Sequence, residues 1–378
     1  MQVELLNWNA SEGPDGQSVE NRDADLVMYF GQREALAGGR PFDKLCESYP
    51  EALLIGCSTG GQILDNAFGE DDMVTAAIRF SDTKLQLTSA DIRDPNQSYA
   101  CGKTIGADLK ADGLAGIFVL SDGTMVNGSD LAEGIADGAG ENVPIVGGLA
   151  GDGDRFEETL VGAGDRPRSG KIGAIGFYGN AIRFGHGSEG GWDVFGPQRK
   201  VTRSSGNILY ELDGQPALDL YERYLGEEAK QLPGSALLYP LQVWDPEEPD
   251  NNVVRTVLNV DREARSMTFA GNVPEGFLAQ LMRGNLDRLA AGAAEAARQA
   301  GNSVPGGQLA IMISCIGRRL LMGQRVEEEI EAASRELGSE MPHLGFYSYG
   351  EICPRFVSGR PRLHNQTMTI SVISEHSI

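Results

Sequence analysis

Short, nearly continuous apolar runs alternate along this chain with stretches of helical period. Residues 25–30 (DLVMYF), 51–57 (EALLIGC), 114–120 (LAGIFVL) and 307–315 (GQLAIMISC) have the length and composition of strands buried on both faces. Residues 74–80 and 84–88 read as a strand pair joined by a polar turn, and 159–162, 171–178, 199–204 and 208–212 as further strands. Helices are expected at 41–49, with proline at its start, and at 99–110, 128–138, 217–225, 284–301 and 325–337. Ser129 or Asp130 is the expected N-cap of the third. Residues 253–261 and 266–270 form a hairpin candidate, and 181–216 reads as turn-rich with short strand pieces. The chain closes with two strand-like segments, HLGFYSYGEICPRF and LHNQTMTISVISE. This alternation predicts a mixed α/β (α+β) protein of two tightly packed lobes, each a mixed β-sheet covered by helices. The composition changes little along the chain, and the best boundary falls near 213–217, giving domains 25–214 and 215–374.

At 378 residues the chain is long enough for two such lobes. Its 50 glycines against 17 prolines are spread without a short period, which points to tight turns and close backbone approaches rather than to a linker or collagen. A formal net charge of −22 repels nucleic-acid phosphates and anionic lipid, so neither nucleic acid nor a membrane surface is an expected partner. No apolar run approaches the ~20 residues of a membrane span. The first residues lack the basic start and apolar core of a signal peptide, so a cytoplasmic location is expected. Five cysteines (46, 57, 101, 315 and 353) with no C-x-x-C indicate neither a disulfide framework nor a zinc ribbon.

The candidate chemistry is scattered. Gly56-Cys57-Ser58-Thr59-Gly60 matches G-x-S-x-G after a buried strand, the setting of a hydrolase nucleophile, although a tight corner needing small residues explains it as well. The loop from Gly147 to Gly153 lacks the spacing of a P-loop or a dinucleotide fingerprint, but could turn backbone N–H groups toward an anion. His186 reads as lying in a turn, His343 at a strand start and His376 as exposed. His364 sits among polar residues before the last strand, where a neutral imidazole can hydrogen-bond or bind haem iron. Cys353-Pro354 is a dipeptide that can present a thiolate to haem, against the default of a buried apolar cysteine. Arg318-Arg319 could clamp a carboxylate or a haem propionate, or pair with the glutamates at 327–331.

Eight stretches in order, DLVMYF, LLIGCSTGGQI, GIFVLSDG, PIVGGLAGDG, LYELDGQPALDLY, ISCIGRR, GFYSYGEICP and LHNQTMTI, resemble the FIST family over roughly residues 25–374. That resemblance implies an N-terminal and a C-terminal FIST domain and a sensory role without turnover. It extends to the NosP-like nitric oxide sensors, which bind haem b and regulate a histidine kinase or a cyclic-di-GMP synthase or phosphodiesterase. The implied axial ligand to the haem iron is His364, then His343, then Cys353. Arg318 and Arg319 would lie beside the cofactor, with Phe346, Tyr347, Tyr349 and Phe356 as candidate pocket aromatics. Since no output domain is fused to these segments, the signal would pass to a separate protein, and a homodimer is compatible with that. A sensor of an amino acid or similar metabolite without haem is the alternative, and a Ser58 hydrolase is the third.

Overall fold

The computed structural model describes residues 1–9, 13–14, 19–70, 73–140, 142–354 and 359–376. Its described strands form four sheets, and three of them are built on one plan: a parallel pair flanked by antiparallel strands. The parallel pairs are Leu26–Gly31 with Leu53–Ser58, Leu114–Ser121 with Ile145–Leu149, and Leu309–Cys315 with His343–Ser348. Four of these six strands are the nearly continuous apolar runs of the sequence, and they are apolar because both faces of each sheet are covered. One face of each of these three sheets turns inward, where Phe30, Ile55, Phe118, Val146, Ile313 and Phe346 share a single core. The Phe30 and Phe346 rings lie 4.6 Å apart, tying the first sheet to the third.

Helices cover the outer faces. Arg40–Ser48 lies on the first sheet, Ser98–Leu109 and Gly128–Ala139 on the second, and Leu286–Ser303 with Val326–Leu337 on the third. The helices Ser98–Leu109 and Gly128–Ala139 touch backbone to backbone. A Cβ on Gly106 would lie 2.3 Å from the Ile135 carbonyl, and one on Gly134 would lie 2.2 Å from that of Tyr99. Only glycine permits that approach. The fourth sheet, centred on Trp192–Ser205 and Leu278–Gly284, carries its own core with the helix Ala217–Leu225.

The mixed α/β architecture matches the expectation, but the lobes exchange strands. The second sheet takes Gly350–Pro354 and Pro361–His364 from the C-terminal part, and the third takes Gln62–Leu64, Ala67–Gly69 and Ile182–Glu189 from the N-terminal part. Several local expectations are corrected. Met73–Arg79 and Lys84–Asp91 do not pair, because the turn between them carries the chain from the first sheet to the second. The strand pieces expected at 199–204 and 208–212 are present, but the turn-rich stretch before them holds the strand Ile182–Glu189 and the first half of Trp192–Ser205, so His186 lies buried in a strand rather than in a turn. The cap of Gly128–Ala139 is Asn127, whose side chain accepts from the Ser129 and Asp130 N–H groups. Gly147 and Gly148 belong to a strand, where the carbonyl of Val119 approaches too closely for any side chain at Gly147.

Candidate functional site

The carboxyl ends of the three parallel pairs meet. The Gly60 N–H donates to the Tyr347 carbonyl at 2.7 Å, the Gly151 N–H to Ser58 at 2.9 Å, and the Ala150 N–H to Ser121 at 2.8 Å. The approach requires small residues, since a Cβ on Gly151 would lie 3.0 Å from the Gly60 nitrogen. Ligands of open α/β sheets bind outside the carboxyl ends of the strands, where strand order diverges. A crevice of about 220 Å³ opens there, lined among others by Gln32, Thr59, Glu70, Asp152, Asp154 and Arg319.

Its charges are arranged on two sides. Arg319, from the turn of helix Ile316–Met322, donates to the Gly60 carbonyl, pairs with Glu70 and lies over the Phe68 ring, 5.1 Å from its centre. Burial lowers its pKa from the ordinary arginine value. Asp152 is buried opposite. It accepts from Arg33 at 3.1 Å, from the Tyr349 hydroxyl and from the Phe156, Glu157 and Glu158 N–H groups. Burial and the carboxylate of Asp152 both raise the pKa of the Tyr349 phenol, keeping it a donor. Its ring stacks on Phe156 with centroids 4.4 Å apart, which fixes the loop carrying Asp152 and Arg155. Arg155 reaches back to Glu34 at 2.8 Å and to the Asp152 carbonyl at 2.7 Å.

Of the residues expected from sequence, Arg319 lines this crevice, Tyr349 reaches it through its hydrogen bond to Asp152, and the Tyr347 side chain is buried behind it. Arg318 points the other way. It is fully buried, bonded through Nε and Nη2 to Glu329 at 2.9 and 2.7 Å and through its remaining donors to the Gly190 and Leu289 carbonyls. Ser314 and Tyr347 hydroxyls donate to the same Glu329 carboxylate at 2.9 and 2.8 Å. The pairing with the glutamate run therefore holds for Arg318, as structural support behind the crevice.

The residues expected to hold haem do not gather around a cavity. His364 Nε2 lies 3.0 Å from the Cys353 carbonyl, and His343 Nδ1 lies 2.8 Å from that of Met341. Both rings are buried, and neither lines the crevice. Cys353 Sγ is buried against the Pro354 carbonyl at 3.0 Å, and desolvation pushes its thiol pKa up, so it stays neutral. Phe346 lies in the inner core, and Phe356 falls outside the described residues. Among the described residues no group of three or more His, Cys, Asp or Glu side chains could hold a metal ion. These residues do not fit a haem in this arrangement.

Ser58 is likewise structural. It is fully buried, its Oγ accepts the Leu160 N–H at 2.8 Å, and the chain runs on through Thr59-Gly60-Gly61 into a strand rather than the helix that a nucleophile elbow needs. Sequence reasoning did not single out Arg33, Glu70 or Asp152. The available signal was that three apolar strands each end in a small or charged cluster: STGG, AGDGD and CIGRR.

The FIST N domain matches residues 25–215 and the FIST C domain residues 217–354. The chain belongs to the FIST family. FIST domains are sensor domains of signal transduction, and the chain carries both. It is also 25% identical over 381 residues to the uncharacterized protein MJ1623 of Methanocaldococcus jannaschii, covering 89% of this chain and 70% of that protein. The crevice draws Thr59, Asp152 and Arg155 from the FIST N match and Arg319 from the FIST C match, so it lies where the two domains join. No helix among the described residues is long and apolar enough to cross a membrane.

Proposed function

We propose that this FIST protein senses a small zwitterionic metabolite, an amino acid being the first class to test, in the crevice between its two domains. The observation that carries the reading is the convergence of strand ends from both domains on one small polar space, with Arg319 and Glu70 on one side and Asp152 and Arg155 on the other. A ligand carboxylate would compete with Glu70 for Arg319, and a ligand ammonium group would face Asp152 and Asp154. A volume of about 220 Å³ lies below the roughly 300–1,000 Å³ of drug-sized pockets and suits a compact molecule. Because the walls come from both domains, a ligand that fits one arrangement better than another shifts the balance between them, which is what a sensor requires. The output would pass to a separate protein without turnover here. A histidine kinase or a cyclic-di-GMP synthase or phosphodiesterase is the class that family resemblance supplies. Haem-based nitric oxide sensing would need His364 to leave the Cys353 carbonyl and the strand Pro361–His364 to move, and no observation favours it.

The test is thermal unfolding of the wild type and Arg319→Gln against a panel of amino acids. A ligand at 100-fold its dissociation constant stabilises by about 2.7 kcal/mol. Stabilisation by one class of amino acid, lost in Arg319→Gln, supports the reading. A panel without effect, or an effect that survives the substitution, overturns it.

A further inference from the structure

A second cleft, of about 290 Å³, lies between the fourth sheet and the body of the protein, away from the crevice. Its floor is Arg255, on the edge strand Val253–Arg255, with a relative exposure of 6%. Its guanidinium donates to the Asn272 carbonyl at 2.9 Å, to those of Leu363 and Val254 at 3.0 and 3.3 Å, and to Ser129 Oγ at 3.4 Å. These partners satisfy N–H groups but carry no charge. Among the described residues no carboxylate lies within ion-pair distance of Arg255. The same protein shows the alternative, because the equally buried Arg318 is matched by Glu329 at 2.7 Å. A buried charge without a counter-ion is costly. Burial first, and then the nearby positive charge of Arg362, lower the Arg255 pKa to about 9.

The cleft is basic at Arg255, Arg360 and Arg362 and otherwise largely apolar, with Val243, Val253, Pro274, Phe277 and Leu363 in its lining. Arg362 donates to the Asn251 carbonyl at 3.2 Å, and Arg360 stands at the rim, paired with Asp137. The Asn272 amide bridges Asn127 and Asp130, each at 2.8 Å. Glu133 is the acidic residue of the lining, so an entering molecule must direct its negative group past Glu133 toward Arg255.

We infer that this cleft binds a small oxyanion, the carboxylate or phosphate group of a metabolite, between Arg255 and Arg362. Bound there, the anion supplies the missing counter-charge. It also joins the fourth sheet, which contributes Arg255 and Asn272, to the body, which contributes Ser129 and Arg362. This makes the fourth sheet a ligand-dependent element independent of the domain-join crevice.

Isothermal titration of the full chain with inorganic phosphate and, separately, with citrate tests this. Saturable binding with a dissociation constant below about 1 mM, weakened at least ten-fold in Arg255→Met and in Arg362→Gln and unchanged in Arg319→Gln, is the expected result. Tighter phosphate binding assigns a phosphate ligand, and tighter citrate binding a carboxylate. No saturable binding of either probe overturns the inference, as does affinity unchanged by the Arg362 substitution. If Arg255→Met does not fold, Arg362→Gln and Asn272→Ala carry the same test. Loss in Arg319→Gln with retention in Arg362→Gln would place the anion in the crevice and refute a second site.

Discussion

Replacing Glu351 by glutamine should stabilise the protein above neutral pH and change it little in mild acid. Glu351 lies fully buried on the strand Gly350–Pro354, and its carboxyl group accepts from Ser348 Oγ at 2.7 Å and Thr367 Oγ1 at 2.8 Å. Burial is the dominant influence and raises its pKa from 4.5 to about 8, against the opposing pull of those hydrogen bonds and of Arg318. Between these two values the folded protein keeps a proton that the unfolded chain has released. Stability therefore falls as pH rises. The contribution is fully present below about pH 4.5 and is lost as pH rises through about 8. Each pH unit in that window corresponds to about 1.4 kcal/mol, so the whole effect is on the order of a few kcal/mol. Glutamine keeps the shape and the acceptor oxygen and removes the charge. Urea unfolding of wild type and Glu351→Gln between about pH 5 and pH 9 should show a difference that grows in favour of the variant and levels off near the upper end. A difference constant across that range would refute the reasoning.

Glu329→Ala leaves Arg318 buried without its partner and two hydroxyls without their acceptor, and should cost about 3–5 kcal/mol by denaturant unfolding. A loss below about 1 kcal/mol would show that the pair is not the support it looks to be. Ser58→Ala strips the acceptor from the buried Leu160 N–H and should cost about 1–3 kcal/mol, while any trace of ester hydrolysis in the preparation stays unchanged. Haem titration should yield no stoichiometric Soret band, because His364 is held by the Cys353 carbonyl. A band that disappears in His364→Ala would show that this strand opens to admit the macrocycle. Gly106→Ala forces a methyl group against the Ile135 carbonyl and should lower stability by about 1–3 kcal/mol or more, read as a fall in thermal midpoint. An unchanged midpoint would mean the two helices separate freely.

The sequence by itself determined the local elements wherever burial is symmetric. Runs such as LVMYF and LAIMI are apolar at every position, so their identity as strands covered on both faces was legible without knowing their neighbours. The amphipathic helices were legible for the complementary reason, that one face is buried and the other is wet. Family-like motifs likewise marked the strand ends from which the crevice is built. Only the tertiary structure decided pairing. Whether residues 84–91 return to the strand before them or cross to another sheet depends on hydrogen-bond partners far away in sequence, which periodicity does not record. The long strand Trp192–Ser205 was legible only in its second half, at 199–204, because its burial is irregular, as expected of a strand bridging two halves of a twisted sheet. Adjacent arginines show the same limit at the site. Arg318 and Arg319 are alike in sequence, yet the helical turn sends the first to Glu329 in the interior and the second to the crevice. The neighbour of the His364 ring was decided in the same way, a carbonyl on the adjacent strand.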